Sequence, residues 1–549
     1  MLRSVASRVS SSRSATTTVG KRTSVPYQVC SRLSSVAGRT GHEGDEDSWE
    51  YDHDVLVVGG GIVGCSLACR LAQDAGVSSS RSVAEPGRRS SVGLIEARPP
   101  APLAKALARE SPDPRVYSLT PSSVGLLKAV RAWEAGGLEE RSQPFRGMQV
   151  WDDRGPGHLR FDDEEGGGDP LGFISEHGVI HSSLFERVKK LEAEGLTEVT
   201  CPAQVKGVKF PSAGPGGATG PLRVTIEKEG GETRVVSCQL LVAADGGDSK
   251  VAKMLGLSSW GWGYGQRAVV ATVRLGGFHE ETAFQRYLSR GPLAMLPLKD
   301  GLASLVWSTT PAHAEFLKAT EFLAEVNDAM RLPASQSASG LGASALFGGG
   351  GPPAGISNIL GGVSSLAAPP FAAANAVVEG LVKGAEGVAG ALAGLSLGLG
   401  GADGGGGGFS IPPEAIEVMT PRLGFDLSLR QAHSYTGVRA ALVGDAAHTV
   451  HPMAGQGLNL GIADADALAR AVLEGRRSGT DLGSRALLSR YEEERKTDAL
   501  VMMGALDSLH RLFGAEGRMV AAARNAGLSA LNAAGPVKRR LARHAMGGK

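Results

Sequence analysis

At 549 residues the chain exceeds the length at which a single hydrophobic core usually stops growing, so two domains are expected. Its 57 Lys and Arg against 56 Asp and Glu leave a formal net charge of +1, which removes any charge argument for a nucleic-acid partner. Five scattered cysteines with no Cys-x-x-Cys pair exclude a disulfide scaffold and suit a reducing compartment.

Residues 1–42 hold no Asp or Glu, while seven Arg and Lys, from Arg3 to Arg39, sit among many Ser and Thr. That is the composition of an organellar transit peptide, assigned to 1–45, and a secretory signal would need an uninterrupted apolar core. Mitochondrion is the first reading and a plastid the alternative; a basic tail without address is the plainer account.

The first structural signal is Asp54-Val55-Leu56-Val57-Val58, a β-branched run ending at Gly59-Gly60-Gly61-Ile62-Val63-Gly64, with helix expected over Ser66–Gln73. A GxGxxG between strand and helix is informative: Gly59 permits the tight turn, Gly61 lets backbone approach a pyrophosphate, and Gly64 lets helix and strand pack closely. Phosphate charge would sit against the helix N-terminus. Cys65 and Cys69 share a helix face, but no second ligand pair makes them a metal site. The next strand, Val92–Ile95, ends at Glu96, placed to accept ribose hydroxyls of an adenosine. Ser78–Ser91 reads as a surface insertion.

Further on, Arg115 follows Asp113-Pro114, where it could reach a phosphate or face solvent, and Ser122–Trp133 reads as helix. Short strands punctuated by Gly and Asp follow from residue 146, with Val179–Leu191 as a helix. Leu240–Ala244 is a second apolar strand, ending at Asp245-Gly246. Trp260-Gly261-Trp262-Gly263-Tyr264-Gly265-Gln266 concentrates aromatics, and a β-rich run continues through Ala283–Tyr287, Gly291–Leu298 and Ser304–Ser308. From 332 to 410 the composition turns to Gly, Ala, Ser and Pro and reads as a flexible insertion. The third apolar strand, Ala440–Val443, opens into Gly444-Asp445-Ala446-Ala447-His448-Thr449-Val450-His451-Pro452, and Leu460–Leu473 has helical spacing. Leu482–Phe513 and beyond is helical by periodicity.

In their order and spacing the three glycine-rich strand ends, 59–64, 244–249 and 444–459, resemble the three fingerprints of the class A FAD-dependent monooxygenases, the flavoprotein aromatic hydroxylases. Tyr264-Gly265-Gln266, Gly291–Leu298, Ser304–Trp307 and the wording of 444–461 are similar to the ubiquinone-biosynthesis branch, the mitochondrial ring hydroxylases. The resemblance covers 52–331 and 416–515. It implies an α/β fold: a Rossmann-like FAD-binding domain with an inserted β-rich substrate domain and a C-terminal helical region. The FAD domain would comprise 52–145, 174–260 and 436–480, and the substrate domain 146–173, 261–331 and 411–435. Helices and a basic tail would fill 481–549.

By the same resemblance Gly59, Gly61 and Gly64 approach the FAD pyrophosphate, Glu96 the ribose and Arg115 the phosphates. Asp245 contacts flavin, and Asp445 bonds a ribityl hydroxyl. Backbone N–H groups at Gly457, Leu458 and Asn459 face the flavin edge where charge gathers on reduction, with Pro452 beside the ring. The implied reaction is hydroxylation of a polyprenylated phenol with O2 through a flavin C4a-hydroperoxide. NAD(P)H, or ferredoxin and its reductase, would supply electrons. Other ubiquinone-biosynthesis proteins would be partners, and the site of action the matrix face of the inner membrane, peripherally bound. A prenyl reductase or halogenase on the same frame, and a non-catalytic member of a biosynthetic assembly, are the rival readings.

Two positions depart from the pattern. Ala252 stands where the family usually has Arg, flanked by Lys250 and Lys253, and His181 stands where relatives commonly place Gln or Arg. His448 and His451 form an HxxH without a third ligand; they are expected to shape the loop, with general acid or base as the alternative role for His451. Met502, Met503, Leu506, Leu509, Leu512 and Phe513 form a stripe read as core, or alternatively as a lining for a polyprenyl tail. Lys538, Arg539, Arg540, Arg543 and His544 end the chain as a solvated tail or a contact for anionic lipid.

Overall fold

Strand β1 (His53–Val58) is buried along nearly its whole length, with Val55, Leu56 and Val57 at most 1% exposed. Such a run without alternation belongs to a central parallel strand covered on both faces. Each of these side chains contributes roughly 1.5–3 kcal/mol by burial. The computed structural model describes residues 51–331 and 409–545, apart from 79–91, 135–136, 164–167, 215–216, 320 and 516. The expected leader, the polar stretch after Ser78 and the insertion up to 408 lie outside the described residues.

After β1 come α1 (Ile62–Ser78), β2 (Val92–Ile95), α2 (His177–Ala193), β3 (Thr233–Ala243), β4 (Ser259–Leu275), β5 (Leu423–Ala432) and β6 (Ala440–Leu442). The chain closes with α3 (Gln456–Arg477), α4 (Arg485–Gly514), α5 (Arg518–Ala533) and α6 (Gly535–Ala545). Strands β6, β3, β1 and β2 run parallel in that order, with 198–200 beyond β2. Val58 pairs with Ala243 and Ile95, and Ala243 pairs with Leu442. This register brings the three glycine-rich motifs to one edge, at the carboxyl ends of the strands, where ligands of open α/β sheets bind.

A second sheet holds 147–152, 158–162, 282–288, 291–297 and 302–309 with β4, β5 and the short 448–449. Strand β4 runs for 17 residues, so the tryptophan-glycine alternation is its first third. The register against β5 slips between Gly263 and Arg267, and Gly265 takes φ +64° there. The β-rich run is present as Thr282–Leu288, Gly291–Pro297 and Leu302–Thr309, and two helices that the spacing does not announce, Pro311–Ala319 and Phe322–Met330, follow it. Ala314, Leu317, Phe322 and Val326 bury themselves against Trp151, Val269 and Trp307 of the sheet. The helix expected to reach Trp133 stops at Ala129, and Arg131 turns left-handed at φ 58°.

The apolar stripe of α4 divides. Met503, Leu506 and Phe513 are buried with Tyr287, Leu429 and Met453, while Leu509 and Leu512 stay 39% and 43% exposed. Helix α5 is pinned by Arg524 and Asp152, each 1% exposed and 2.6 Å apart, with Asn525 Nδ2 donating to the same carboxylate at 3.0 Å. In α6, Lys538 is buried and donates to the Arg160 carbonyl at 2.8 Å, so the basic end is a docked helix through Ala545. Among the described residues no helix is long and apolar enough to cross a membrane.

Candidate active site

The three motif loops interlock because glycines remove the atoms that would keep them apart. Gly59 has φ +106°, and a Cβ there would lie 2.3 Å from the Ala244 carbonyl oxygen. One on Gly64 would lie 1.9 Å from the Gly59 oxygen, and one on Gly461 would lie 2.7 Å from Val63. Loop 59–64 is therefore in backbone contact with the end of β3, and the start of α3 packs against its Val63 side chain and the Gly444 backbone. Gly61 differs from these: a Cβ there meets nothing within 4 Å, so its backbone faces open space. Glu96 accepts the Gly60 N–H through Oε2 and the Arg98 N–H through Oε1, the latter at 2.8 Å, which fixes the carboxylate beside that opening.

Asp445 follows β6 in a single 3-10 turn. Solvent reaches it although protein surrounds it on most sides, as for a residue on the floor of a cleft. This partial burial raises its pKa against the opposing pull of His448, and it has no hydrogen-bond or ion-pair partner among the described residues. The Tyr117 hydroxyl, raised in pKa first by burial, also feels the Asp445 charge. Arg115 is exposed, lies 3.8 Å from Asp113 and shares with Arg109, Val270, Leu423 and Phe425 an open cleft of about 510 Å³. That cleft joins Arg115 to the edge of the second sheet.

The first turn of α3 contains Gly457 and Leu458, both partly accessible, after Gly455 in the left-handed region at φ 63°. N–H groups of a first helical turn have no intrahelical acceptor and favour electron-rich ligands. Pro452 precedes this turn, its carbonyl accepting from the Gly455 N–H at 3.0 Å. The side chain of Asn459 is spent on structure. Its Oδ1 accepts from Thr120 N at 3.0 Å and Ser123 Oγ at 2.7 Å, and its Nδ2 donates to the Ser118 carbonyl at 2.7 Å. Asp245 is spent likewise, accepting from Ser249 Oγ and from the N–H groups of Lys250 and Val251 at 2.8 and 3.1 Å. Lys253, beside the buried Ala252, pairs with Asp248 at 2.6 Å.

The two loop histidines diverge. His448 meets Asp464 at 2.6 Å, and Asp464 also accepts from Gly444 N at 3.0 Å and Arg495 Nε at 2.8 Å. Burial would raise the Asp464 pKa, but His448 and Arg495 outweigh it and the net shift is downward. His451 is 0% exposed, accepts from Met453 N at 3.2 Å and packs edge-on to Tyr264 at 4.8 Å. Burial, then the neighbouring His510, push its pKa down to about 3, so it stands neutral near pH 7. The sequence reading left two contacts unseen. His181 Nε2 donates to the Gly60 carbonyl at 2.7 Å, and His510 of α4 lies 4.8 Å from the Tyr264 ring. His181 was singled out as a departure, but its partner is 121 residues away and no local spacing reveals it.

The family profile described as "FAD binding domain" matches residues 52–292 and 416–504. The chain belongs to the FAD-dependent aromatic hydroxylases. It is 32% identical over 497 residues to the human "Ubiquinone biosynthesis monooxygenase COQ6, mitochondrial", covering 89% of this chain and 91% of that protein. It is 30% identical to the "Ubiquinone hydroxylase UbiL" of Rhodospirillum rubrum, covering 90% and 89%. Among solved structures, p-nitrophenol 4-monooxygenase PnpA from Pseudomonas putida DLL-E4 shares the fold, with TM-score 0.59 at 17% identity over 90% of this chain and 98% of that one. PqsL from Pseudomonas aeruginosa, in complex with 2-aminobenzoylacetate, superposes with TM-score 0.56 at 20% identity over 87% and 99%. Gly61, with open space where a Cβ would sit, and Asp445, with no partner for its carboxylate among the described residues, are groups of these loops available to a ligand, and the buried Nδ1 of His177 lacks a hydrogen-bond partner.

Proposed function

We propose that this monooxygenase hydroxylates the aromatic ring of a polyprenylated ubiquinone precursor in mitochondria. The observation that carries the reading is the 32% identity to the human ubiquinone-biosynthesis monooxygenase along nearly the full length of both chains. The loop 59–61 and the Arg115 guanidinium hold the FAD phosphates, Glu96 takes ribose hydroxyls, and Asp445 takes a ribityl hydroxyl. N–H groups at Gly457 and Leu458 stabilise negative charge on the flavin edge. Asn459 and Asp245 act as braces that hold their loops in shape, Pro452 sits beside the ring, and neutral His451 packs the loop.

FAD, when bound, supplies the activation of O2 for ring oxygenation. The chain's own work is to seat the ring, exclude water and keep charge balanced at the flavin edge. Val270, Leu423 and Phe425 offer apolar surface for the substrate at the mouth of the cleft. The enzyme acts peripherally at the matrix face of the inner membrane, with ferredoxin and its reductase or NAD(P)H as donor, beside other ubiquinone-biosynthesis proteins. The test is product mass under 18O2 with a prenylated phenol. One incorporated label supports hydroxylation, and reduction of the prenyl chain without label would sink it. Stopped-flow flavin reduction by NADPH alone against a ferredoxin system assigns the donor.

A further inference from the structure

We propose that docking of helix α5 on the second sheet is coupled to binding of FAD, with Phe513 and Tyr287 as the positioning residues that carry the coupling. The inference rests on the cofactor placement proposed above, which sets Pro452 beside the flavin ring.

Helix α5 is held largely by polar contacts. Strand 158–162 is the last of its sheet, so its outward backbone groups have no neighbouring strand. Side chains of α5 and α6 take that place. Asn525 Oδ1 accepts from Gly157 N at 2.6 Å, Asn532 Oδ1 accepts from Arg160 N at 3.1 Å, and Lys538 Nζ donates to the Arg160 carbonyl at 2.8 Å. Among the described side chains of α5 the one buried apolar residue is Ala521, and Leu528 is partly buried. A segment with so little apolar burial opens at lower cost than the core it covers.

Arg524 is where this helix reaches the rest of the molecule. It meets Asp152 at 2.6 Å, and its Nη1 donates to the Leu512 and Phe513 carbonyls at 2.9 and 3.3 Å, capping the last turn of α4. Its guanidinium also lies 5.2 Å from the centre of the Phe513 ring. That ring stacks on Tyr287 at 3.7 Å with 16° between planes, and the Tyr287 hydroxyl donates to Met453 Sδ at 3.4 Å. Met453 N in turn donates to His451 Nδ1 at 3.2 Å, across Pro452. Arg524, Phe513, Tyr287 and Met453 are all buried, so the line of contacts is unbroken from α5 to the loop.

Two arrangements of this line differ in what they do to the loop. With α5 docked, Phe513 is fixed at its carbonyl and its ring, and Tyr287 is held against Met453. With α5 lifted, the last turn of α4 loses its cap, the stack loosens and Met453 loses its fixed donor. A cofactor that needs the turn around Pro452 in its folded geometry binds the docked arrangement more tightly. By linkage, bound cofactor holds α5 down to the same degree.

The test is hydrogen exchange followed by mass spectrometry on the full-length protein, stripped of FAD and then saturated with it. FAD should slow exchange across 518–533 by about five-fold or more, together with that of 444–459. Phe513→Leu, and as a second variant Tyr287→Phe, which removes only the hydroxyl, should keep the FAD protection of 444–459 and lose most of that across 518–533. Protection of 444–459 in the parent with no change across 518–533 overturns the coupling. Parent-like protection of 518–533 in both variants overturns it too, since a general tightening of the fold would give that result. A parent in which FAD leaves 444–459 unprotected overturns the cofactor placement beneath the proposal.

Discussion

The parallel and antiparallel sheets present their surfaces by different means. At the ends of β1, β3 and β6 the working groups are backbone, packed so closely that Gly59, Gly64 and Gly461 cannot carry a side chain. Along β4 and β5 the cleft beside Arg115 is lined by side chains, the buried Val270 and the exposed Leu423 and Phe425. The first region should be intolerant and specific for cofactor. The second should be tolerant and decide which substrate fits.

That contrast breaks most sharply at Gly59. Gly59→Val combines a forbidden backbone region with overpacking and should cost roughly 2–6 kcal/mol. Thermal melting together with flavin absorbance would check it, and a stable yellow variant would collapse the distinction. Asp464→Asn comes next at about 3–5 kcal/mol, since it leaves Arg495 buried and underpaired. Because the Asp464 pKa is lowered in the fold, its contribution is complete above the unfolded value of about 4 and is lost on acidification below it. Parent and variant should therefore converge in acid melts.

Asp445→Ala should weaken FAD binding by about ten- to a hundred-fold, as expected for loss of one charge-assisted hydrogen bond of about 1.5–3 kcal/mol. Its folded pKa is raised, so the carboxylate penalises the unliganded fold near neutral pH, and the variant's apo-protein should melt no lower than the parent's. Full flavin occupancy in that variant would contradict its role. On the antiparallel side, Phe425→Ser should leave flavin content unchanged and raise KM for an apolar substrate several-fold, by roughly 1 kcal/mol of lost apolar contact. Smallest of all, Lys253→Ala removes an exposed pair with Asp248 and should not shift the melting temperature measurably.

The same contrast explains what was legible beforehand. Backbone function leaves a compact trace in sequence, because a glycine needed for close approach sits beside the strand that delivers it. Gly59–Gly64 and the strand Val92–Ile95 could therefore be read directly, and β2 has the expected bounds. Side-chain assembly leaves no such trace. The bond from His181 to Gly60 spans 121 residues, and Tyr264 meets His510 from a helix near the other end of the chain. Helices 311–319 and 322–330 were hidden because their apolar residues serve the sheet beneath them and follow a run of strong β-formers. The resemblance implies a flavin contact for Asp245, while the bonds that tie both its oxygens to its own loop belong to the folded turn and leave no mark in the spacing.

Asn459 carries a consequence for the order of events in a growing chain. Its amide ties the start of α3 to Ser118 and Thr120, residues 341 and 339 positions earlier. Glycine loop 59–64 leaves the ribosome first and waits for more than three hundred residues before its opposite wall exists. A chain halted before Gly444 has the glycine loop and lacks the segment that Asn459 ties to Ser118 and Thr120, so a truncation there should leave this edge of the sheet open.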